Sequence, residues 1–362
     1  MARINTVNAV RLANSLTDLD RAPIAASDEE TIFPLGLKQL GTECSALWIC
    51  EIPGRKKKHM CLWALTDLED LKRGCIIPHE SIIADRVRPM INRRLVEDKE
   101  ISPVVLCYRA NRKISELLEY GRFGDLPDED FEWHWGLRVW KVKDRETVER
   151  FQSAFREINR VYIADGHHRL AAALNTGIDD KWISTIYVPD DEMEIAPYHR
   201  LLALAGTVDF TGILDKLQVY FNISQVQGNL PYRPEKKNVF GFFIDHTWFR
   251  IELKPAFSEM NLPDACFLQD KVLNGIFGLK KSEDDCRLEV FSDTFWDQYI
   301  HRLSGSGHCA GFTLYPISSH ELFTRADSNV LLPPKSTWIE PKVPLGALVH
   351  LKQGNNGRGR RG

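Results

Sequence analysis

The sequence predicts a mixed α/β protein made of two α+β regions, and three observations carry that expectation. Strand-like and helix-like stretches alternate from residue 145 to 188, an order that favours a mixed sheet with helices on its faces. Ile101 to Tyr108 is an apolar run that reads as a central strand. Near residue 206 a second succession of short strands, a hairpin and helices begins, so the expected division is 1–205 and 206–352, with 353–362 as a tail. A chain of 362 residues is long enough for two full cores.

Residues 1–44 carry few signals beyond a helix start at Ser27 to Glu30. Ala46–Ile52 and His59–Leu65 read as strands joined by the turn PGRKKK, whose basic run is a solvated loop. Thr66 to Arg73 makes one or two helical turns, capped by Thr66 and closed by Gly74. In CIIPHESIIADRVRPMINRRL (75–95), Pro78 holds Ile77 extended, which puts His79 and Glu80 at a strand end or on the loop after it. The segment 84–95 is helix-like, with Pro89 marking either a start near residue 88 or a kink. It holds Arg86, Arg88, Arg93 and Arg94, with Arg109 beyond it, more arginine than solubility requires.

Asn111–Tyr120 reads as a helix, Gly121–Glu132 as a loop, and Trp133–Val142 as an aromatic strand whose alternation suits a core better than a stacking platform. Arg145–Ile158 sets Val148, Phe151, Phe155 and Ile158 at helical spacing. Trp182–Val188 is a further strand, and the acidic loop 189–194 leads into IAPYHRLL. In the second region, Phe210–Lys216, Leu262–Phe277, Thr294–Leu303 and His320–Arg325 read as helices. Gln218–Ile223, Glu289–Ser292 and Ala310–Pro316 read as strands, and Asn238–Ile244 with Thr247–Leu253 as a hairpin over Asp245 and His246. Four prolines (333, 334, 341, 344) extend the closing segment, and the tail GNNGRGRRG has nothing to bury and should be disordered.

Composition narrows the function. The net charge of -3 and pI of about 6.4 give no global attraction to nucleic acid or anionic membrane, so any phosphate binding must be local. No apolar run reaches the ~18 residues a bilayer span needs, and the N-terminus lacks a signal-peptide core, so a cytoplasmic location is expected. The eight cysteines form no C-x-x-C pair or zinc-like spacing with histidine and read as reduced thiols, most of them buried.

The stretch VYIADGHHRLAAAL (161–174) organises the chain. A short apolar strand ends at Asp165, Gly166 permits a sharp turn, and a helix opens with His167, His168 and Arg169. Backbone N–H groups at a helix start have no partner within the helix and bind anions. Cationic side chains sit badly at that positive dipole end, so a phosphate is expected to offset them. The plainer alternative makes Asp165 an N-cap and the histidines surface residues, but it leaves HHR unexplained. With a carboxylate on a loop, Glu80, the set suits phosphoryl transfer to an alcohol: Glu80 as general base, HHR as phosphate cradle, and Asp165 as a Mg²⁺ ligand or hydroxyl-orienting group. His79 and Arg86 stand near Glu80 in sequence as candidates for the substrate side.

Strand-D-G-H-H-R-helix, preceded by H-E and followed by P-x-H-R (Pro197, Tyr198, His199, Arg200), resembles the free serine kinase family, as does the closing PPKSTWIEPK (333–342). The resemblance runs from about residue 46 to 351, with Tyr198 where a small hydroxyl residue is common. It implies a ParB/sulfiredoxin-like nucleotide- or phosphate-binding catalytic domain over 1–205, a second α+β domain over 206–352 completing the substrate site, and an active-site cleft between them. It further implies a kinase forming O-phospho-L-serine from free L-serine, with ATP, ADP or pyrophosphate as donor and a place in amino-acid biosynthesis. The family's catalytic glutamate falls on Glu80 and its aspartate on Asp165; the phosphate-binding group falls on His167, His168 and Arg169. His199 and Arg200 are candidates for the substrate side, and Lys335, Ser336 and Thr337 fall in a motif suited to the amino-acid carboxylate or to a phosphate, with no definite role carried over. The competing expectations are a nucleotide-binding regulator or ParB-like DNA-binding protein without kinase activity, and a silent scaffold. The acidic pI and the lack of a helix-turn-helix weigh against DNA, and Glu80 weighs against the scaffold. Whether the chain forms a homodimer is left open.

Overall fold

The computed structural model describes residues 1–7, 9–12, 37–38, 45–82, 84–97, 99–122, 126–131, 136–176, 181–204, 209–279, 285–305 and 308–352. The expected helix start at 27–30, Trp133, His134, Trp135 and the tail 353–362 lie outside them. The chain divides into two units: Met1–Ile77, Ile83–Met193 and Pro341–Gly362 form the first, and Pro78–Ile82 with Glu194–Glu340 form the second. Each is discontinuous in sequence.

The first unit is built on a mixed nine-stranded sheet. Its order is Ile76–Ile77, Val161–Asp165, Val104–Tyr108, Trp182–Pro189, Lys58–Asp67, Leu47–Pro53, Leu137–Val142 and Glu129–Phe131, with Ile4–Asn5 also pairing to Lys58–Asp67. Val161–Asp165 runs parallel to Ile76–Ile77, and Trp182–Pro189 runs parallel to Val104–Tyr108; the other pairings are antiparallel. Val104–Tyr108 is buried at every position, as its uninterrupted apolar sequence requires.

Helix Arg145–Arg156, capped by the Asp144 side chain accepting from the Thr147 N–H, turns Phe151, Ala154 and Phe155 inward. Helix Arg112–Tyr120, capped by Asn111, contributes Ile114, Leu117 and Leu118 to the same core. A smaller four-stranded sheet joins Leu37–Lys38, Ala9–Leu12, Val349–Leu351 and Lys99–Glu100.

The segment read as helix-like over 84–95 is the helix Ala84–Val96, with Pro89 inside it and no residue buried. Thr66 caps nothing, because it lies within the strand and donates to Thr185 Oγ1 at 2.8 Å. Asp67 Oδ1 instead accepts from the Glu69 N–H at the start of the short helix Glu69–Lys72.

The second unit centres on the hairpin Val239–Ile244 and Thr247–Leu253, within the order Phe221–Gln225, Thr247–Leu253, Val239–Ile244, Cys309–Thr313, Glu194–Ala203 and Leu288–Ser292. IAPYHRLL, which has no obvious element in the sequence, is most of the ten-residue strand Glu194–Ala203. That strand can accommodate Pro197 because it changes partners: residues 194–197 pair with Thr337–Glu340, and 198–203 pair with the sheet. The core is aromatic, with Phe221, Phe240, Phe242, Phe267 and Phe312 buried together. The expected helix 262–277 is instead one turn, Asp264–Phe267, continued by a π-helical segment, Leu268–Asn274.

Candidate functional site

In the first unit the sheet carries Asp165 to the mouth of a turn. Gly166 follows with φ 89°, a left-handed conformation that favours glycine. A Cβ there would lie 3.0 Å from Arg169 Nε and Nη2, so a side chain would require the guanidinium to give way slightly. Helix His167–Leu174 begins at once, and its first intrahelical bond runs from the Leu170 N–H to the Gly166 carbonyl at 2.9 Å. The amides of residues 167–169 precede that bond, on the side where an anion is favoured. Leu170, Ala172 and Ala173 are buried, and small side chains let the helix lie close.

The charges around this turn are interlocked. Asp165 Oδ2 accepts from Arg169 Nη2 at 2.6 Å, and Oδ1 accepts from Lys342 Nζ at 2.6 Å. Burial pushes the Asp165 carboxyl up, but Lys342 and Arg169 together hold it well below the usual carboxylate range. Arg169 Nη1 donates to the carbonyls of Ser102 (2.8 Å) and Pro103 (2.9 Å) and to the Ser102 hydroxyl. The guanidinium thus braces the entry to strand Val104–Tyr108 as well as facing the turn. His167 and His168 are half-buried in the first turn. Helix Ala84–Val96 packs against helix His167–Leu174 and carries Arg86 exposed.

In the second unit, residues far apart in sequence gather around Glu80. The Leu332 N–H donates to the His79 carbonyl at 2.8 Å, and Glu80 forms an isolated parallel bridge with Leu332. His79 is buried, and its Nε2 shares a 3.1 Å hydrogen bond with Thr337 Oγ1. Arg200 is also buried, donating to the carbonyls of Tyr198 at 3.3 Å and Lys335 at 2.9 Å. Burial pulls its guanidinium down to about 10, against the opposing influence of Tyr198, Glu80 and Tyr299. Lys335 has φ 57°, and Ser336 Oγ donates to the Pro333 carbonyl at 2.6 Å, so 333–337 is a tight turn pinned by Arg200.

His199 lies inside the sheet. Its Nδ1 accepts from the Leu314 N–H at 3.3 Å, which leaves Nε2 to donate to Asp293 Oδ1 at 3.1 Å. Burial pushes its pKa down despite Asp293, so it is a neutral brace with both nitrogens engaged.

The candidates therefore fall into two sets: Asp165 to Arg169 in the first unit, and His79, Glu80, Arg200, Lys335, Ser336 and Thr337 in the second. Sequence reasoning missed Lys342 and Asp293. Lys342 closes the PPKSTWIEPK motif and could have been found there; Asp293, across from His199, carried no signal.

The residues present do not fit a metal ion held by Asp165. Both of its oxygens are taken by cationic groups, and among the described residues no group of three or more His, Cys, Asp or Glu side chains is placed to hold one. Nor, among these residues, is any helix long and apolar enough to cross a membrane.

The fold is that of a mixed α/β protein with several sheets. A family model described as a protein of unknown function, DUF1015, matches residues 40–273, and the chain belongs to that family. Among curated proteins none matches.

Solved structures with a similar chain path include a point mutant of a free serine kinase in complex with ADP, at 13% identity and TM-score 0.45 over 83% of this chain and 95% of that one. SbnI with a C-terminal truncation, from Staphylococcus aureus, is similar at 12% identity and TM-score 0.45 over 80% and 87%. A conserved hypothetical protein from Pyrococcus furiosus is similar at 12% identity and TM-score 0.43 over 80% and 95%.

Proposed function

We propose that this protein is a cytoplasmic phosphotransferase with a ParB/sulfiredoxin-like catalytic part, and that it phosphorylates the hydroxyl of free L-serine. The observation that carries the reading is the turn at Gly166. It opens a helix start hard against Asp165 and Arg169, with a second cation, Lys342, on the same carboxylate. Such a set binds and neutralises phosphate, which is most of what phosphoryl transfer asks of a protein.

In the proposed step the serine hydroxyl oxygen forms a bond to the transferred phosphorus while the bond to the donor's leaving oxygen breaks. Glu80 takes the hydroxyl proton, and the leaving phosphate departs with the electron pair. Gly166, His167, His168 and Arg169 hold the phosphates of the donor, a nucleotide or pyrophosphate. Arg200, Lys335, Ser336 and Thr337 serve the acceptor side together with Arg86, and His79 positions the Glu80 segment through Thr337. The resemblance of DGHHR, H-E and PPKSTWIEPK to the free serine kinases supports serine as acceptor.

The test is incubation of the purified protein with L-serine and, separately, ATP, ADP or pyrophosphate, each with and without Mg²⁺, with O-phosphoserine read by phosphorus NMR. Formation of phosphoserine with at least one donor is expected. No product with any of them, alongside DNA binding with a steep salt dependence, would replace this reading with a regulator.

A further inference from the structure

Phosphoryl-transfer sites commonly place a divalent cation where charge builds up, held by one or two carboxylates and by the phosphates themselves. The carboxylate available at this cradle is Asp165, and its two oxygens accept from Lys342 and Arg169 at 2.6 Å each. A divalent ion on either oxygen would have to displace one of those groups. Arg169 is also tied to Ser102 and Pro103, so displacing it would release the entry to strand Val104–Tyr108; the other cation on the carboxylate is Lys342. Its side chain is about one-third exposed, so it reaches the solvent side of the turn. Pro341 and Pro344 fix the backbone on either side of it, limiting how far the ammonium strays from Asp165.

We propose that Lys342, anchored on Asp165, takes the role of a protein-held metal ion at this cradle, so that the site accepts a diphosphate group carrying no metal. This rests on the anion-cradle reading above and deepens it. An ammonium is a compact point charge and a donor to phosphate oxygens, which suits the task. Asp165 is then an anchor for Lys342, and any Mg²⁺ the reaction uses arrives on the donor.

The test is binding of inorganic pyrophosphate to the full chain by calorimetry, in EDTA and in Mg²⁺. In EDTA the wild type binds, Lys342→Met weakens binding about tenfold to hundredfold, as expected for losing one charged hydrogen bond, and Lys342→Arg retains most of it. Mg²⁺ restores binding in Lys342→Met far more than it alters the wild type, because Asp165 Oδ1 is uncovered. Arg169 still pairs with Asp165 in both variants, and the arginine variant shows whether charge or fold was lost. Equal binding by Lys342→Met and wild type in EDTA, or a wild type that binds only with Mg²⁺, overturns the role given to Lys342 alone. A wild type that binds pyrophosphate under neither condition overturns the anion cradle with it.

Discussion

Asp165 in the first unit and Arg200 in the second show two ways of treating a charge. Asp165 is about one-third exposed and meets two cations at 2.6 Å. Arg200 is 4% exposed and gives its guanidinium to the carbonyls of Tyr198 and Lys335. Partly exposed ion pairs contribute roughly 0–1 kcal/mol to stability, so stability alone gives little reason to gather Asp165, Arg169 and Lys342 at one helix start. A buried guanidinium on backbone carbonyls holds chain segments together, and hydrogen bonds to charged groups contribute about 1.5–3 kcal/mol each. The first unit thus gathers charge where it stays partly exposed, whereas the second places it inside, where it shapes the 333–337 turn.

The largest effect expected is on turnover. Glu80→Gln should lower the rate of phosphoserine formation by about 10² to 10⁴ while donor binding, followed by calorimetry, barely changes. Unchanged turnover would remove Glu80 from the role of base. Arg169→Ala should weaken donor binding by about tenfold to hundredfold, and it should also loosen the Ser102–Pro103 segment, seen as faster amide exchange at Ser102 and Val104. If binding falls without faster exchange, the guanidinium serves the guest alone.

Gly166→Ala should cost roughly 1–2 kcal/mol in urea unfolding, from the left-handed backbone, and should disturb Arg169 through the 3.0 Å approach. An unchanged unfolding midpoint would show that the turn can adopt another shape.

A subtler contrast lies in pH. Burial raises the Asp264 carboxyl in the second unit to about 7, against the backbone N–H of Asn238 and the charge of Lys237. The native state therefore keeps a proton that the unfolded chain has lost between the ordinary value of 3.8 and about 7, and stability falls as pH rises through that window. Asp165 acts with the opposite sign: its depressed folded pKa gives stability that is present above the unfolded value and lost only in stronger acid. Urea midpoints of Asp264→Asn and the wild type should diverge between pH 3.8 and about 7, with the variant gaining relative stability toward the alkaline end of that window. Parallel curves would show that the Asp264 carboxyl is solvated.

Local patterns in the sequence were enough to draw most elements of the first unit. Apolar runs marked Val104–Tyr108 and Val161–Asp165, and the spacing of Phe151 and Phe155 marked the helix before the turn. The DGHHR turn was legible because its chemistry lies in five consecutive residues. Helix Ala84–Val96 was legible as a segment over 84–95, but it buries no residue and so shows no clear apolar stripe, and Pro89 left its start open. Strand Glu194–Ala203 was harder still, since its pattern serves two successive partners and contains a proline.

Contacts such as Lys342 with Asp165, 177 residues apart, and His79 with Thr337, 258 apart, could not be read from the sequence. By itself the sequence determined which short stretches carry reactive groups, because turn chemistry and periodicity act over a few residues. Only the tertiary structure decided which distant side chain completes each stretch. Such pairs are chosen by sheet order and burial, which depend on the whole chain collapsing at once, and no local rule records them.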